Sequence, residues 1–223
     1  MKIAIITYDH PHQKTQDLIC RLRLNGVYYL DLIVLPWVER KIHVPLYSHR
    51  PDNPVNIISE QLCKNFNLAH YRLTVDGLND HFSAIRYDKI LIAGAGILPP
   101  DVIKHNIINS HPGYLPYIRG LDALKWAILY GEPIGVTTYY IGEKPDTGIL
   151  IDRNFVPLYY TDTFHSIARR QYDMEIDMMI EALKTEPQDL QLIERLGHDL
   201  HKRMSPVDEL RMMSRCKKLI DNL

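Results

Sequence analysis

The sequence predicts an α/β protein, a Rossmann-like, mostly parallel sheet flanked by helices, with a helical appendage at the C-terminal end. Two observations predict it. Short, near-continuous apolar runs such as Ile3-Ala4-Ile5-Ile6 read as strands buried on both faces. These runs also alternate with segments of helical period, which is the pattern of a parallel sheet covered by helices. With 223 residues and 46% hydrophobic content, the chain has enough apolar material for a proper core.

Taken in order, Lys2–Thr7 reads as the first strand and ends in Tyr8-Asp9-His10-Pro11-His12-Gln13-Lys14. A helix follows with Thr15, Leu18, Ile19 and Leu22 on one face, stopped at Asn25-Gly26. Tyr28–Leu35 is the second strand, closed by Pro36. The interval Trp37–Asn56 carries Pro45, Pro51 and Pro54 among Arg40, Lys41, His43, His49 and Arg50. Long loops of this kind are functional or mobile, so it is a candidate wall for a substrate, with a solvated surface loop as the plainer reading. A helix is expected from about Ile57 to Leu68, since Ile58, Leu62 and Phe66 recur four apart. Leu73-Thr74-Val75 suggests a third short strand, and Lys89–Ala93 a fourth, buried one.

Asp101–His105 reads as one helical turn and Ile107-Ile108 as a strand running into Asn109. Leu121–Tyr130 is the next helix, ending at Gly131. Gly135–Ile141 and Ile149–Val156 are two more strands, joined by the Gly142–Gly148 loop. Thr163–Leu183 is the longest helix, with Phe164, Ala168, Tyr172, Ile176, Met179 and Leu183 along a core stripe. The division expected is a catalytic domain over residues 1–185 and a helical appendage over 186–223. In that appendage Ser205-Pro206-Val207-Asp208 resembles a capping box opening a helix to about Ile220.

Composition narrows the functional classes. Lysine and arginine total 26 against 27 aspartate and glutamate, so no basic footprint for nucleic acid is visible. Cys20, Cys63 and Cys216 lie far apart without metal-ligand spacing and read as reduced cytosolic thiols. No apolar run approaches the ~18 residues of a membrane span, and the run behind Lys2 is too short for a signal segment. A cytoplasmic protein without membrane partners is expected; the oligomeric state stays open, a homodimer included.

The chemistry gathers between Asn109 and Gly148. On an extended backbone Asn109 and His111 share one face, and Pro112 ends the strand because it has no N–H for the ladder. A carboxamide and an imidazole thus stand together at the carboxyl end of a strand, where open α/β sheets bind ligands. Singly, each residue has a plainer reading. A lone histidine at a strand end is more often structural, and Asp146 between Pro145 and Gly148 suits a turn. The conjunction is more specific. Asn109-Ser110-His111-Pro112, Leu115-Pro116, Arg119-Gly120, Gly135-Val136-Thr137 and Asp146-Thr147-Gly148 together resemble the formyltransferase family that uses 10-formyltetrahydrofolate. The resemblance covers Lys89 to Asp152 closely and Met1 to Leu35 in general layout.

The resemblance implies the formyltransferase fold and 10-formyltetrahydrofolate as cosubstrate, with no metal. It implies direct transfer of the formyl group to a primary amine, without an acyl-enzyme. The segment Ile92, Ala93, Gly94, Ala95, Gly96, Ile97 and Leu98 then lines the pterin pocket, offering backbone amides to the ring. Tyr140, Ile141, Gly142 and Glu143 form its second wall. Asn109, His111 and Asp146 are the expected catalytic residues. Asn109 and a His111 N–H would face the developing oxyanion, and Asp146 would hold the imidazole or relay protons.

The acceptor is a weaker inference. Glycinamide ribonucleotide enzymes resemble a pattern with a Gly-Ser-rich phosphate loop after the first strand, whereas here Asp9-His10-Pro11-His12-Gln13 offers no glycine. Methionyl-tRNA enzymes carry a larger C-terminal nucleic-acid-binding domain, and only Glu186–Leu223 remains here. A folate-dependent deformylase would carry an additional N-terminal domain. A nucleotide-linked amino sugar is the expected acceptor by elimination, with phosphoribosylglycinamide as the alternative. A remote reading from another class is a metal-dependent hydrolase using His10 and His12 with His111 and Asp146. A catalytically dead binding domain is argued against by the intact Asn109, His111 and Asp146.

Overall fold

The computed structural model describes residues 1–37, 44–51, 57–186, 191–193 and 200–223. Its strands are β1 (Lys2–Tyr8), β2 (Tyr29–Leu35), β3 (Ala69–Arg72), β4 (Lys89–Ile92), β5 (Ile107–His111), β6 (Gly135–Ile141) and β7 (Gly148–Phe155). Its helices are α1 (Gln13–Leu24), α2 (Ser59–Phe66), α3 (Leu78–Ala84), α4 (Pro100–Ile103), α5 (Ala123–Tyr130), α6 (Phe164–Glu181) and α7 (Pro206–Asp221). The seven strands form one sheet in the order β3-β2-β1-β4-β5-β6-β7. The first five are parallel, and β6 and β7 run antiparallel. A mostly parallel α/β sheet with C-terminal helical structure is therefore as expected, and the parallel character stops at β5.

The apolar strands explain the layers. Ile3 and Ile5 face α1 and α6, meeting Leu18, Leu22, Tyr172 and Ile176. Ala4 and Ile6 face the other side, meeting Leu78, Phe82, Leu98 and Val102. Ile3, Ile5 and Ile6 are fully buried, each worth ~1.5–3 kcal/mol relative to exposure. A third cluster joins α5, the start of α6 and α7 through Ala123, Ala127, Phe164, Met204, Met212 and Cys216. The C-terminal helix is thus packed into the body of the molecule.

Two elements differ from expectation. The third strand is Ala69–Arg72, just before Leu73-Thr74-Val75. It is an edge strand whose His70 and Arg72 turn to Ser59 and Asp9, so it lacks an apolar run. Helix α3 leaves little trace in the sequence because only Leu78 and Phe82 of its seven residues are buried.

Candidate functional site

The cleft lies at the carboxyl ends of β4 and β5, where β5 delivers Asn109 and His111. Because β6 runs antiparallel to β5, Tyr139 pairs with Asn109 and Thr137 with His111, on the same face of the sheet. The chain then turns at Pro112 and passes under the imidazole at Gly113. A Cβ on Gly113 would lie 2.6 Å from His111 Nε2 and 2.9 Å from the Ile118 carbonyl oxygen. Glycine here is what lets the ring lie flat against the following loop.

Asp146 arrives from the β6–β7 loop with φ of +52°. Aspartate is one of the few side-chain-bearing residues that tolerate this left-handed conformation. The loop is fixed from three sides. Gly142 N–H donates to the Thr147 carbonyl at 2.7 Å, Thr147 Oγ1 donates to the Lys144 carbonyl at 2.7 Å, and the Arg119 guanidinium donates to the Pro145 carbonyl. Arg119 is 3% exposed, so a buried cation holds the residue just before Asp146.

Asn109, His111 and Asp146 converge, although nothing local forces it. His111 Nδ1 lies 3.5 Å from Asp146 Oδ1. Gly120 N–H donates to Asp146 Oδ2 at 2.7 Å. Tyr139 closes the set: its hydroxyl accepts from Asn109 Nδ2 at 3.2 Å and donates to Asp146 Oδ1 at 3.2 Å. Burial, and then the Asp146 charge, push the Tyr139 phenol well above its ordinary value. It therefore stays a neutral donor to the carboxylate.

His111 Nε2 faces the Ile118 carbonyl at 3.1 Å. A carbonyl only accepts, so this nitrogen carries hydrogen, and Nδ1 faces the carboxylate. Both ring nitrogens are thus engaged, unlike the expectation of a free His111 N–H for an oxyanion. Asn109 uses one amide hydrogen on Tyr139, and its second is available to the cleft.

The cleft has a volume of about 630 Å³, within the range of small-molecule sites. One wall is Ile92–Leu98, the other Ile141–Thr147. Apolar Ile92, Ile97, Leu98 and Ile141 flank small residues, a lining that suits a flat ring. Ala93 and Gly94 N–H both donate to the Ile6 carbonyl, so amides offered to a ring begin beyond Gly94. Gly94 has a steric reason: a Cβ would lie 2.9 Å from the Tyr8 ring. Tyr140, expected on the second wall, is a correction. Strand alternation turns it to the opposite face, where it is 8% exposed and its hydroxyl accepts from Lys89 Nζ at 3.1 Å. Tyr139, its neighbour, holds the cleft side.

Part of the cleft lining is charged, which local sequence patterns do not signal. Glu175 of α6 binds Lys14 Nζ at 2.6 Å and Arg50 Nη1 at 2.5 Å. Burial alone would raise the Glu175 carboxyl, but Arg50 and Lys14 outweigh it and hold it down at about 2. His49 and Arg203 also line the cleft. Of the expected loop wall at Trp37–Asn56, His49 and Arg50 thus reach the cleft, while residues 38–43 and 52–56 lie outside the described residues. A helical pattern alone gives no signal for Lys14 or Glu175, because each lies in a helix whose apolar stripe faces the core.

The two histidines of the remote metal-hydrolase reading each have another partner. His10 stacks on Trp37 with centroids 4.7 Å apart, while His12 Nδ1 contacts Thr15 Oγ1 at 2.9 Å. Among the described residues, no three His, Cys, Asp or Glu gather as a metal would need. Nor is any helix among them long and apolar enough to cross a membrane.

Comparison with known proteins adds independent weight. The chain is 32% identical over 138 residues to a methionyl-tRNA formyltransferase from Chlorobium chlorochromatii, a match covering 54% of this chain and 44% of that enzyme. The chain thus spans under half the length of that relative. Among solved structures, a sugar N-formyltransferase from a Shewanella species superposes with a TM-score of 0.61 at 15% identity, covering 97% of this chain and 88% of that one. Glycinamide ribonucleotide transformylase 1 from Symbiobacterium toebii gives 0.59 at 19% identity, covering 82% and 85%. These two likenesses speak for the fold. The sequence also matches the formyl transferase family over residues 1–183, and with Asn109, His111 and Asp146 gathered at the end of β5, the chain belongs to that family.

Proposed function

We propose that this protein transfers a formyl group from 10-formyltetrahydrofolate to the primary amine of a small acceptor, and that the acceptor is a nucleotide-linked amino sugar. The observation that carries the reading is the meeting of Asn109, His111 and Asp146, through Tyr139, in one cleft beside an apolar pocket for a flat ring. The folate supplies the formyl carbon as a carbonyl bonded to its N10.

The residues divide the work. The acceptor nitrogen attacks the formyl carbon, the bond to N10 breaks, and a proton passes from the amine to N10. Asn109 directs its second amide hydrogen at the carbonyl oxygen, where negative charge develops. Asp146, held by Gly120 N–H and the Tyr139 hydroxyl, faces His111 Nδ1. The pair sets the imidazole beside the reacting groups, and the Asp146 carboxylate is the group that takes up the amine's proton and passes it toward N10. No serine or cysteine nucleophile is needed.

Two features bear on the acceptor, the first favouring a phosphate-bearing molecule and the second the amino sugar. Lys14, Arg50 and Arg203 line the cleft, and cations at a pocket wall suit phosphoryl oxygens. The fold likeness to the sugar N-formyltransferase also reaches 97% of the chain, against 82% for the purine enzyme. The test is a transfer assay with 10-formyltetrahydrofolate against nucleoside-diphosphate-linked amino sugars and glycinamide ribonucleotide, read by mass spectrometry. Formylation of an amino sugar supports the reading. Formylation of glycinamide ribonucleotide alone would replace the acceptor, and no transfer to any amine would sink it.

A further inference from the structure

Glu209, on α7, is fully buried and touches neither the catalytic trio nor the cleft lining. Its Oε1 binds Lys125 Nζ of α5, and Lys125 is itself fully buried. Its other oxygen, Oε2, accepts from two backbone amides of a different segment, Leu46 N at 2.6 Å and Tyr47 N at 3.3 Å. That segment continues directly into His49 and Arg50, both of which line the cleft. His49 Nε2 comes within 4.0 Å of Asp122 Oδ1, and Arg50 ends on Glu175 at 2.5 Å.

Stability alone does not account for this arrangement. Glu209 and Lys125 stand among Ala123, Ala127, Met212 and Cys216. A buried ion pair in such surroundings is often no more stable than a well-packed apolar pair of similar volume. What an apolar pair could not do is accept two hydrogen bonds from Leu46 and Tyr47. The carboxylate joins α5, α7 and the 44–51 segment at one point.

We infer that Glu209 is a positioning residue for the acceptor: it anchors the Leu46–Tyr47 backbone so that His49 and Arg50 are held at the acceptor end of the cleft. This rests on reading the cleft as the formyl-transfer site. The C-terminal helix thereby shapes acceptor binding without touching the acceptor.

Two double variants separate this role from plain structure. Lys125→Met with Glu209→Leu leaves an apolar pair and removes the acceptor oxygen. Lys125→Gln with Glu209→Gln keeps a carbonyl for the two amides without any charge. Hydrogen exchange at Leu46 and Tyr47 is followed by mass spectrometry, with β1 and β5 as internal controls. Exchange should accelerate about 10- to 100-fold in the Met/Leu protein, the loss of hydrogen bonds to a charged group. The Gln/Gln protein should stay near wild type. With a nucleoside-diphosphate-linked amino sugar as probe, the Met/Leu protein should show KM raised about tenfold, with kcat and the folate KM little changed.

Unchanged exchange in the Met/Leu protein would overturn the inference, as would equal loss in both variants. Faster exchange with an unmoved acceptor KM would refute the link to acceptor binding. If the wild-type protein formylates no amino sugar, the functional reading fails by itself, and the exchange data still decide whether Glu209 anchors the segment.

Discussion

The Tyr139 hydroxyl stands between Asn109 Nδ2 and Asp146 Oδ1, 3.2 Å from each. A residue from β6 thereby ties a side chain of β5 to one on the following loop. Replacing Tyr139 with Phe keeps the ring and its packing but leaves both partners short of a bond. With Asn109 and Asp146 no longer tied together, about 1.4 kcal/mol of barrier, a tenfold fall in kcat, is expected. Single-turnover rates and melting temperature together check this. A larger loss of stability than of turnover would make Tyr139 a packing residue.

Asn109→Ala removes the donor aimed at the oxyanion, a loss that typically costs ~10²–10³-fold in turnover. His111→Ala should cost at least as much, since it takes away the partner of Asp146. Asp146→Asn is the sharpest probe. Asparagine also tolerates the left-handed backbone that Asp146 adopts, at φ of +52°. The loop should therefore keep its shape while the charge beside His111 is lost. All three proteins should bind a folate analogue near wild-type strength and melt within a few degrees of it. Steady-state kinetics and calorimetry measure both, and loss of fold instead of turnover would make the trio structural.

Most of this arrangement is legible in the sequence, and the gaps have physical reasons. Asn109 and His111 can be placed on one face because strand periodicity does not depend on tertiary contacts. Asp146 can be joined to them only through family resemblance, since 35 positions separate it from His111. Tyr139 escapes because its role depends on the antiparallel register of β5 and β6, which no local pattern encodes. Tyr140 is misassigned because reading the consecutive residues Tyr140, Ile141, Gly142 and Glu143 as one wall overlooks that alternate residues of a strand face opposite sides. The edge strand Ala69–Arg72 escapes because it is half solvated and carries His70 and Arg72. The ion cluster of Lys14, Arg50 and Glu175 joins three distant segments, so composition cannot suggest it.

Gly113→Ala tests whether backbone shape holds the imidazole. The added methyl would lie 2.6 Å from His111 Nε2, so the ring or the loop must shift. Gly113 touches no part of the reaction. A misplacement near 1 Å is nonetheless enough to cost ~10²-fold in rate. Turnover should drop steeply while binding of a folate analogue changes little. A Gly113→Ala protein with full activity would show that the loop absorbs the methyl without moving His111.

Acid stability follows from groups in and near the cleft. Burial, with Lys14 and Arg50 nearby, holds the His12 imidazole down at about 4, against an ordinary value of 6.5. Between these values the unfolded chain binds a proton at His12 and the folded one does not, so stability falls as pH drops from 6.5 toward 4. His49, held down to about 3 chiefly by burial, acts in the same direction over a wider window. Glu175 adds a second phase. Its folded value of about 2 lies below the ordinary 4.5, so its contribution is complete above 4.5 and is lost as pH falls toward 2. Melting temperature should therefore decline in two stages, one beginning near pH 6.5 and one below pH 4.5. Replacing His12 with Asn preserves a polar partner for Thr15 and removes one titrating group. The first stage should then become shallower by about one proton, while the second is unchanged. A His12→Asn protein with the wild-type slope between pH 6.5 and 4.5 would show that His12 titrates normally in the folded chain.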